Sequence, residues 1–341
     1  MAGATPIGLD IGSSSIRAVE VRRTKDDYSL INFGQIPLEP GTVHGGVVQD
    51  QAAVTSALKQ LWAASRFGTK RVTLGVTNPQ LVVREMSIAN LPPSQMRQAL
   101  PFQVKDALPL AVERSLLDFY PLEQPGDNPN VRGLLIAMPK DAVLGLVQAV
   151  EKAGLHVTGV DLASFALLRA ASRLDAQVEA IVDIGADITS VVVHADGEPL
   201  FVRTLPRGGS EITDSIATRL GVPANEAEEL KCRYGLHGDG NPDSVAAIAD
   251  AVRPLASELR SSFTYLASGE RQKQVTRLAL SGGGALMPGL AEHLQEQLGI
   301  GVMYADSTSR LRDTRRARER GFDSFVPSAA VSIGLTLGAA R

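Results

Sequence analysis

Two stretches of this chain alternate apolar and polar positions, break at Asp-Ile-Gly, and then resume. Residues 7–21 read IGLDIGSSSIRAVEV and residues 180–197 read AIVDIGADITSVVVHADG. In each, β-branched residues lead into a tight reversal and continue beyond it, which predicts strand, turn and strand. Glycine at the reversal lets the backbone turn sharply and bring its N–H groups to a ligand. Either copy alone is also what an ordinary Asp/Gly turn looks like. Their recurrence in one chain marks a duplicated element.

Between the copies the period changes. Residues 51–65, QAAVTSALKQLWAAS, have helical spacing, 71–76 and 81–88 read as strands, and LPPSQMRQALPFQVKDALPL (91–110) is helical and punctuated by proline. Strands are predicted at 116–123 and 131–139, with a turn at GDNPN, 126–130. Together these segments predict a separate α+β insert that opens at the Pro/Gly-rich IPLEPGTVHGG. A helix over 140–155 is stopped by Gly154, and VDLASFALLRAASRL (160–174) reads as a second helix with Asp161 at its N-cap. Beyond the second copy, 211–270 is helical with an interruption at 235–243. A strand at 277–281, a helix from 288 and a small-residue helix at 328–340 follow.

Composition narrows the function classes. With 341 residues and 44% hydrophobic content the chain is long enough for two cores, and a net charge of -3 supplies no overall field for nucleic acid or anionic membrane. Cys232 is the single cysteine, which excludes an internal disulfide, and the five histidines lack metal-ligand spacing. No basic, apolar leader and no run of about 20 apolar residues is present, so a cytoplasmic chain that does not itself span a membrane is expected. The cluster SRLRDTRRARER (309–320) holds six arginines but is interrupted by Asp313 and Glu319 and lacks interleaved aromatics. It reads as a solvated loop rather than a nucleic-acid platform.

A third glycine feature, LALSGGGALMPGLAEHL (278–294), follows a strand. It has no phosphate-loop lysine, and Met287 stands where a dinucleotide fingerprint needs its last glycine. Gly282, Gly283 and Gly284 therefore predict close approach to the backbone, either by a ligand or by packing.

The paired hairpins, the triple-glycine turn and the closing small-residue helix together resemble the actin-like ATPase fold. That resemblance implies an α/β chain with two similar halves around a nucleotide cleft. Residues 1–36, 140–180 and 325–341 would form the first half, 37–139 the inserted α+β subdomain and 181–324 the second half. It implies ATP as ligand, with Mg2+ held through water by Asp10 and Asp183. Gly12, Ser13, Ser14 and Ser15 would surround the terminal phosphates, and Arg17 stands where many relatives place a phosphate-binding lysine. Gly185 and Thr189 would mirror that role, Gly208 and Gly209 would border the phosphates, and Gly282, Gly283 and Gly284 would receive the adenosine. Glu228 and Lys231 are nominated for ribose and adenine, although EAEELKCRYG (226–235) reads by charge alone as a solvated helix face. Asp161 is the one acid in its segment for orienting a water, so weak or absent hydrolysis is expected. Asp187 adds a carboxylate near the phosphates where active relatives often have glycine.

Four segments are similar to the type IV pilus assembly PilM family, a cytoplasmic relative of FtsA: GLDIGSSSIRAVEV, LPPSQMRQALPFQVKDALPL, VDLASFALLRA and FVPSAAVSIGLTLG. The resemblance implies an ATP-binding scaffold at the inner face of the cytoplasmic membrane. A groove beside the insert would hold the N-terminal cytoplasmic peptide of PilN, with other inner-membrane pilus proteins as partners and only indirect membrane contact. The alternatives are a filament-forming or cell-division ATPase of the FtsA or MreB type and a sugar-kinase-like phosphotransferase. For the last, the insert offers no convincing catalytic aspartate.

Overall fold

Each Asp-Ile-Gly hairpin lies within one of two mixed sheets. The computed structural model describes residues 5–23, 27–109, 111–123, 128–237, 242–268, 272–312 and 315–339. β1 (Ile7–Ile11) and β2 (Ser15–Arg23) pair antiparallel, and β3 (Tyr28–Pro37) extends the meander. The chain then crosses a short ribbon of β4 (Val43–His44) and β5 (Val47–Val48) into α1 (Gln51–Ser65). Asp50 caps α1 by accepting from the Ala53 N–H at 2.9 Å. β6 (Arg71–Val76) returns to the sheet parallel to β1.

A small module follows. β7 (Val82–Ala89), α2 (Pro93–Val104), β8 (Ser115–Pro121) and β9 (Asn130–Pro139) form a three-stranded sheet in the order β7-β9-β8 with one helix. Its own core contains Ile88, Leu100, Val104, Val131 and Leu135. α3 (Lys140–Lys152) and β10 (His156–Leu162) lead back to the first sheet, where β10 pairs with β6.

α4 (Ala163–Ala171) carries the chain to the second sheet. There β11 (Val178–Ile184), β12 (Thr189–Ala195) and β13 (Glu198–Leu205) repeat the meander. α5 (Gly209–Leu220), α6 (Ala224–Arg233) and α7 (Pro242–Ser268) share a core with it, and β14 (Arg277–Ser281), α8 (Leu290–Leu298) and β15 (Gly301–Tyr304) complete it. The last segments are β16 (Leu311–Arg312), α9 (Arg315–Arg318), α10 (Phe322–Phe325) and α11 (Ala330–Gly338). The sheet orders are β10-β6-β1-β2-β3-β16 and β13-β12-β11-β14-β15. Apart from β16 the two match strand for strand, with a parallel neighbour on one side of each hairpin and the meander on the other.

The small-residue helix has a physical reason. A Cβ on Gly334 of α11 would lie 1.7 Å from the Ala166 carbonyl oxygen of α4, and one on Gly8 of β1 would lie 2.0 Å from the Ser332 carbonyl oxygen. α4 and α11 therefore cross at backbone contact, in a core that also takes Ile181, Val192 and Ala279 from the second sheet. This core joins the halves.

Several sequence expectations are corrected. The insert expected from 37 begins later, because β6 pairs with β1 and α1 packs in the first sheet's core. The second half ends before 324, because β16 pairs with β3 and Phe322 is buried beside Val19 and Val21. Val160, Asp161 and Leu162 belong to β10 rather than to a helix, and the N-cap of α4 is Leu162, not Asp161. β10 is an edge strand in which exposed and half-buried positions alternate, and its Val157, Thr158, Gly159 and Val160 disfavour a helix. The arginine cluster is not simply solvated. Arg310 donates to the carbonyls of Arg169 and Ser172, while Arg320 donates to Asn32 and stacks on Phe33. Of the turn expected at 126–130, residues 126 and 127 lie outside the described residues, as do 238–241 of the interruption near 235–243.

Candidate functional site: a cleft between the two hairpins

The hairpin tips, the β13–α5 junction, α6 and the glycine turn after β14 line one cleft of about 1510 Å3. At the first tip the Gly12 N–H donates to the Ser15 carbonyl at 3.0 Å, and at the second the Gly185 N–H donates to the Ile188 carbonyl at 2.9 Å. Ser13 and Ser14 face the cleft. Ser15 is only 3% exposed, and its hydroxyl has no partner. Arg17 Nη1 reaches Asp10 at 3.4 Å, while its buried Nε is also without a partner.

Both hairpin aspartates are perturbed, and Asp183 senses Asp10. Burial raises the Asp10 pKa against the opposing charge of Arg17. Asp183 is pushed up to about 6, mainly by burial, with a Ser281 hydrogen bond opposing and the Asp10 charge adding to the rise.

The wall beside the second tip is built by close approach. A Cβ on Gly208 would lie 2.3 Å from the Ala186 carbonyl oxygen, and the Gly209 N–H donates to the Gly185 carbonyl at 2.9 Å. Gly282, at φ +88, and Gly284 leave no room for a Cβ because Ile184 lies against both, whereas Gly283 is open, and Gly283 and Gly284 both line the cleft. The packing reading therefore holds for Gly282, while Gly284 is both packed against Ile184 and part of the cleft lining. On α6, Lys231 is 7% exposed and donates to the Gly209 carbonyl at 3.0 Å, Thr213 Oγ1 at 2.8 Å and Glu228 Oε2 at 2.6 Å. Burial pulls Glu228 upward, but the Lys231 and Thr213 hydrogen bonds outweigh it and hold the carboxyl below its ordinary range. The solvated-face reading of 226–235 is thus corrected at Lys231.

Seven nominated residues are not among those that line the cleft: Asp10, Gly12, Ser15, Asp161, Asp183, Thr189 and Gly282. Thr189 is fully buried, and its hydroxyl donates to the Arg207 carbonyl at 2.8 Å. Register explains this: Thr189 lies opposite Ile184 as Ile16 lies opposite Ile11, so it occupies a core position. Asp161 is not among the lining residues; it pairs with Arg169, which also donates to the Gly334 carbonyl.

Sequence reasoning missed a third loop. Leu38, Pro40, Gly41, Val43 and His44 line the cleft opposite Asp187, in a stretch whose Pro/Gly content had read as the opening of the insert. That Pro/Gly run was the available signal, because such loops are where backbone approaches ligands. Among the described residues no group of three or more His, Cys, Asp or Glu side chains is placed to hold a metal directly.

The comparisons with known proteins fit this architecture. A family model described as "Type IV pilus assembly protein PilM" matches residues 8–340. The cell division protein FtsA of Bacillus subtilis is 24% identical over 343 residues, covering 88% of this chain and 78% of the relative. Among solved structures, a chain of the PilM-PilN type IV pilus biogenesis complex is 28% identical with a TM-score of 0.86, covering 99% of each chain. MreB5 of Spiroplasma citri bound to ADP is 14% identical with a TM-score of 0.53, covering 94% of this chain and 97% of the other, and shows the fold alone. The fold is the actin-like ATPase fold.

Proposed function

This chain belongs to the type IV pilus assembly protein PilM family, and on that premise we propose that it is an ATP-binding scaffold of the pilus inner-membrane assembly platform. The observation that carries the nucleotide reading is the convergence of both hairpin tips on one cleft, with Asp10 and Asp183 close enough for one charge to shift the other. Two mutually repelling carboxylates, an arginine, an unpartnered hydroxyl and open main chain form a donor set for a polyanion and a hydrated cation. In this reading Asp10 and Asp183 hold Mg2+ through water. Ser13, Ser14, Ser15 and the backbone at Gly12 and Gly185 receive the terminal phosphates, with Arg17 adding positive charge and Gly208 and Gly209 bordering them. Gly283, Glu228 and Lys231 border the nucleoside. The metal, when bound, neutralises phosphate charge, and the protein orients the nucleotide and closes its halves on it. Asp161 is engaged by Arg169, so binding with little or no turnover is the reading.

The partner in this reading is the N-terminal cytoplasmic peptide of PilN, docked as an extended segment beside the β7-β9-β8 module. The likeness to a chain of a PilM-PilN complex supports it. No described helix is long and apolar enough to cross a membrane. A cytoplasmic position held at the membrane through PilN is the corresponding localisation. A filament-forming role is disfavoured by the family match.

Titrating ATP into the purified protein with and without Mg2+, and repeating with Asp10→Ala, tests the reading. The variant is expected to lose at least about tenfold in Mg2+-dependent affinity. ATP binding that is absent, or indifferent to both metal and substitution, would overturn it.

A further inference from the structure

The third loop does more than close the cleft. It leaves β3 at Leu38, whose N–H donates to the Ser14 carbonyl at 2.9 Å, so it is tied to the first tip. At its far end His44 Nδ1 lies 2.9 Å from Asp187 Oδ2, and the Gly45 N–H donates to the same oxygen at 3.3 Å. A carboxylate oxygen only accepts, so Nδ1 carries the proton in this contact. The loop is pinned from behind: Asn78 Nδ2 donates to the Gly45 carbonyl at 3.1 Å, and Gly46 fits against the Thr77 carbonyl where a Cβ would lie at 2.0 Å.

Asp187 belongs to the second tip, and its side chain is 15% exposed against 76% for His44. An anionic oxygen that accepts from a ring N–H and a main-chain N–H, where the third loop meets the second tip, makes the contacts a phosphate oxygen would make. We propose that His44 and the Gly45 N–H are donors to the terminal phosphate of a bound nucleoside triphosphate, and that Asp187 is the chain's own substitute for that phosphate when no nucleotide is present. This inference rests on the nucleotide reading above. It gives the carboxylate at 187 a role in a loop where it otherwise only repels the ligand. The terminal phosphate and Asp187 compete for the same donors, so the carboxylate turns aside when a triphosphate binds. A diphosphate, one group shorter, leaves the internal contact in place. The competition thus sets how strongly the cleft distinguishes ATP from ADP.

The two partners have opposite roles, and this separates the proposal from a simple latch. Affinities for Mg2+·ATP and Mg2+·ADP are measured by calorimetry on the wild type, His44→Ala and Asp187→Asn. His44→Ala removes a donor and is expected to weaken ATP about fivefold or more while changing ADP less than about twofold. Asp187→Asn removes the competing anion and is expected to tighten ATP by about threefold or more. Both side chains sit at the rim of the cleft, and thermal unfolding of each variant checks that the fold is intact. A latch alone predicts the same sign for both variants, so a shared direction, or no change in either, overturns the proposal. If the wild type binds neither nucleotide, the nucleotide reading itself falls and takes this inference with it.

Discussion

The hairpin of β1 and β2 sets Asp10 opposite Arg17, whereas the hairpin of β11 and β12 sets Asp183 opposite Ser190. Both aspartates have raised pKa values through burial, and Arg17 opposes the rise at both, but only Asp10 has it directly across the strand as a hydrogen-bond partner. The parallel neighbours differ as well: Gly75 stands beside Asp10 and Ser281 beside Asp183. A duplicated backbone therefore presents one carboxylate paired with an arginine and another that ionises reluctantly until a cation arrives. The tips diverge in the same way. Ser15, with its unpartnered hydroxyl, corresponds to the apolar Ile188 in the equivalent Gly-to-carbonyl turn. On the strands, Gly8 corresponds to Ile181, because β1 meets the backbone of α11 whereas β11 packs by side chain. The duplication preserves register, and the neighbours decide the chemistry.

The strands give the largest contrast. Gly8→Val would force a side chain into the Ser332 carbonyl and should cost on the order of 3 kcal/mol or more of unfolding free energy. Ile181→Val, at the matching position, should cost about 1 kcal/mol. Urea denaturation of both variants measures the difference, and equal losses would show that the two hairpins are packed alike after all.

The aspartates come next. The folded-state pKa of Asp183, about 6, lies above its ordinary 3.8, so the folded chain binds the extra proton between these values. The stability this contributes is fully present below about pH 4 and is lost as pH rises through about 6, amounting to up to about 3 kcal/mol. Compared with Asp183→Asn in the absence of nucleotide and metal, the wild type should therefore become progressively less stable between pH 4 and pH 7. Parallel pH profiles for the two proteins would contradict the assignment. The smallest effect is expected at the tips. Ser15→Ala removes a hydroxyl with no partner and should leave stability within about 0.5 kcal/mol. Thr189→Val strands the Arg207 carbonyl and should cost about 1 kcal/mol, read from the same denaturation curves.

Much of the local structure was legible. The helix at 51–65 and the strands at 71–76 and 277–281 fall on their expected bounds, because period and flanking turn residues are local signals. The strand at 156–162 was not legible as one: it lies on a sheet edge, and its last residues run without a break into the small-residue pattern of α4. Nor could β6 be assigned to a sheet, since five successive buried residues suit either one. Lys231 looked like part of a charged surface because nothing nearby in sequence announces the Gly209 carbonyl that receives it. Thr189 looked like a phosphate ligand because its residue type was read without its register.

The order of residues settled where the chain would turn, which segments would extend or coil, and that one helix would be slim enough to meet another backbone. Those outcomes follow from side-chain shape and backbone freedom over a few neighbouring positions. Which sheet each strand joined, and that the Gly45 N–H would meet Asp187 across 142 positions of chain, emerged only when both cores closed. Contacts of that span depend on the simultaneous packing of many segments, and no short stretch encodes them.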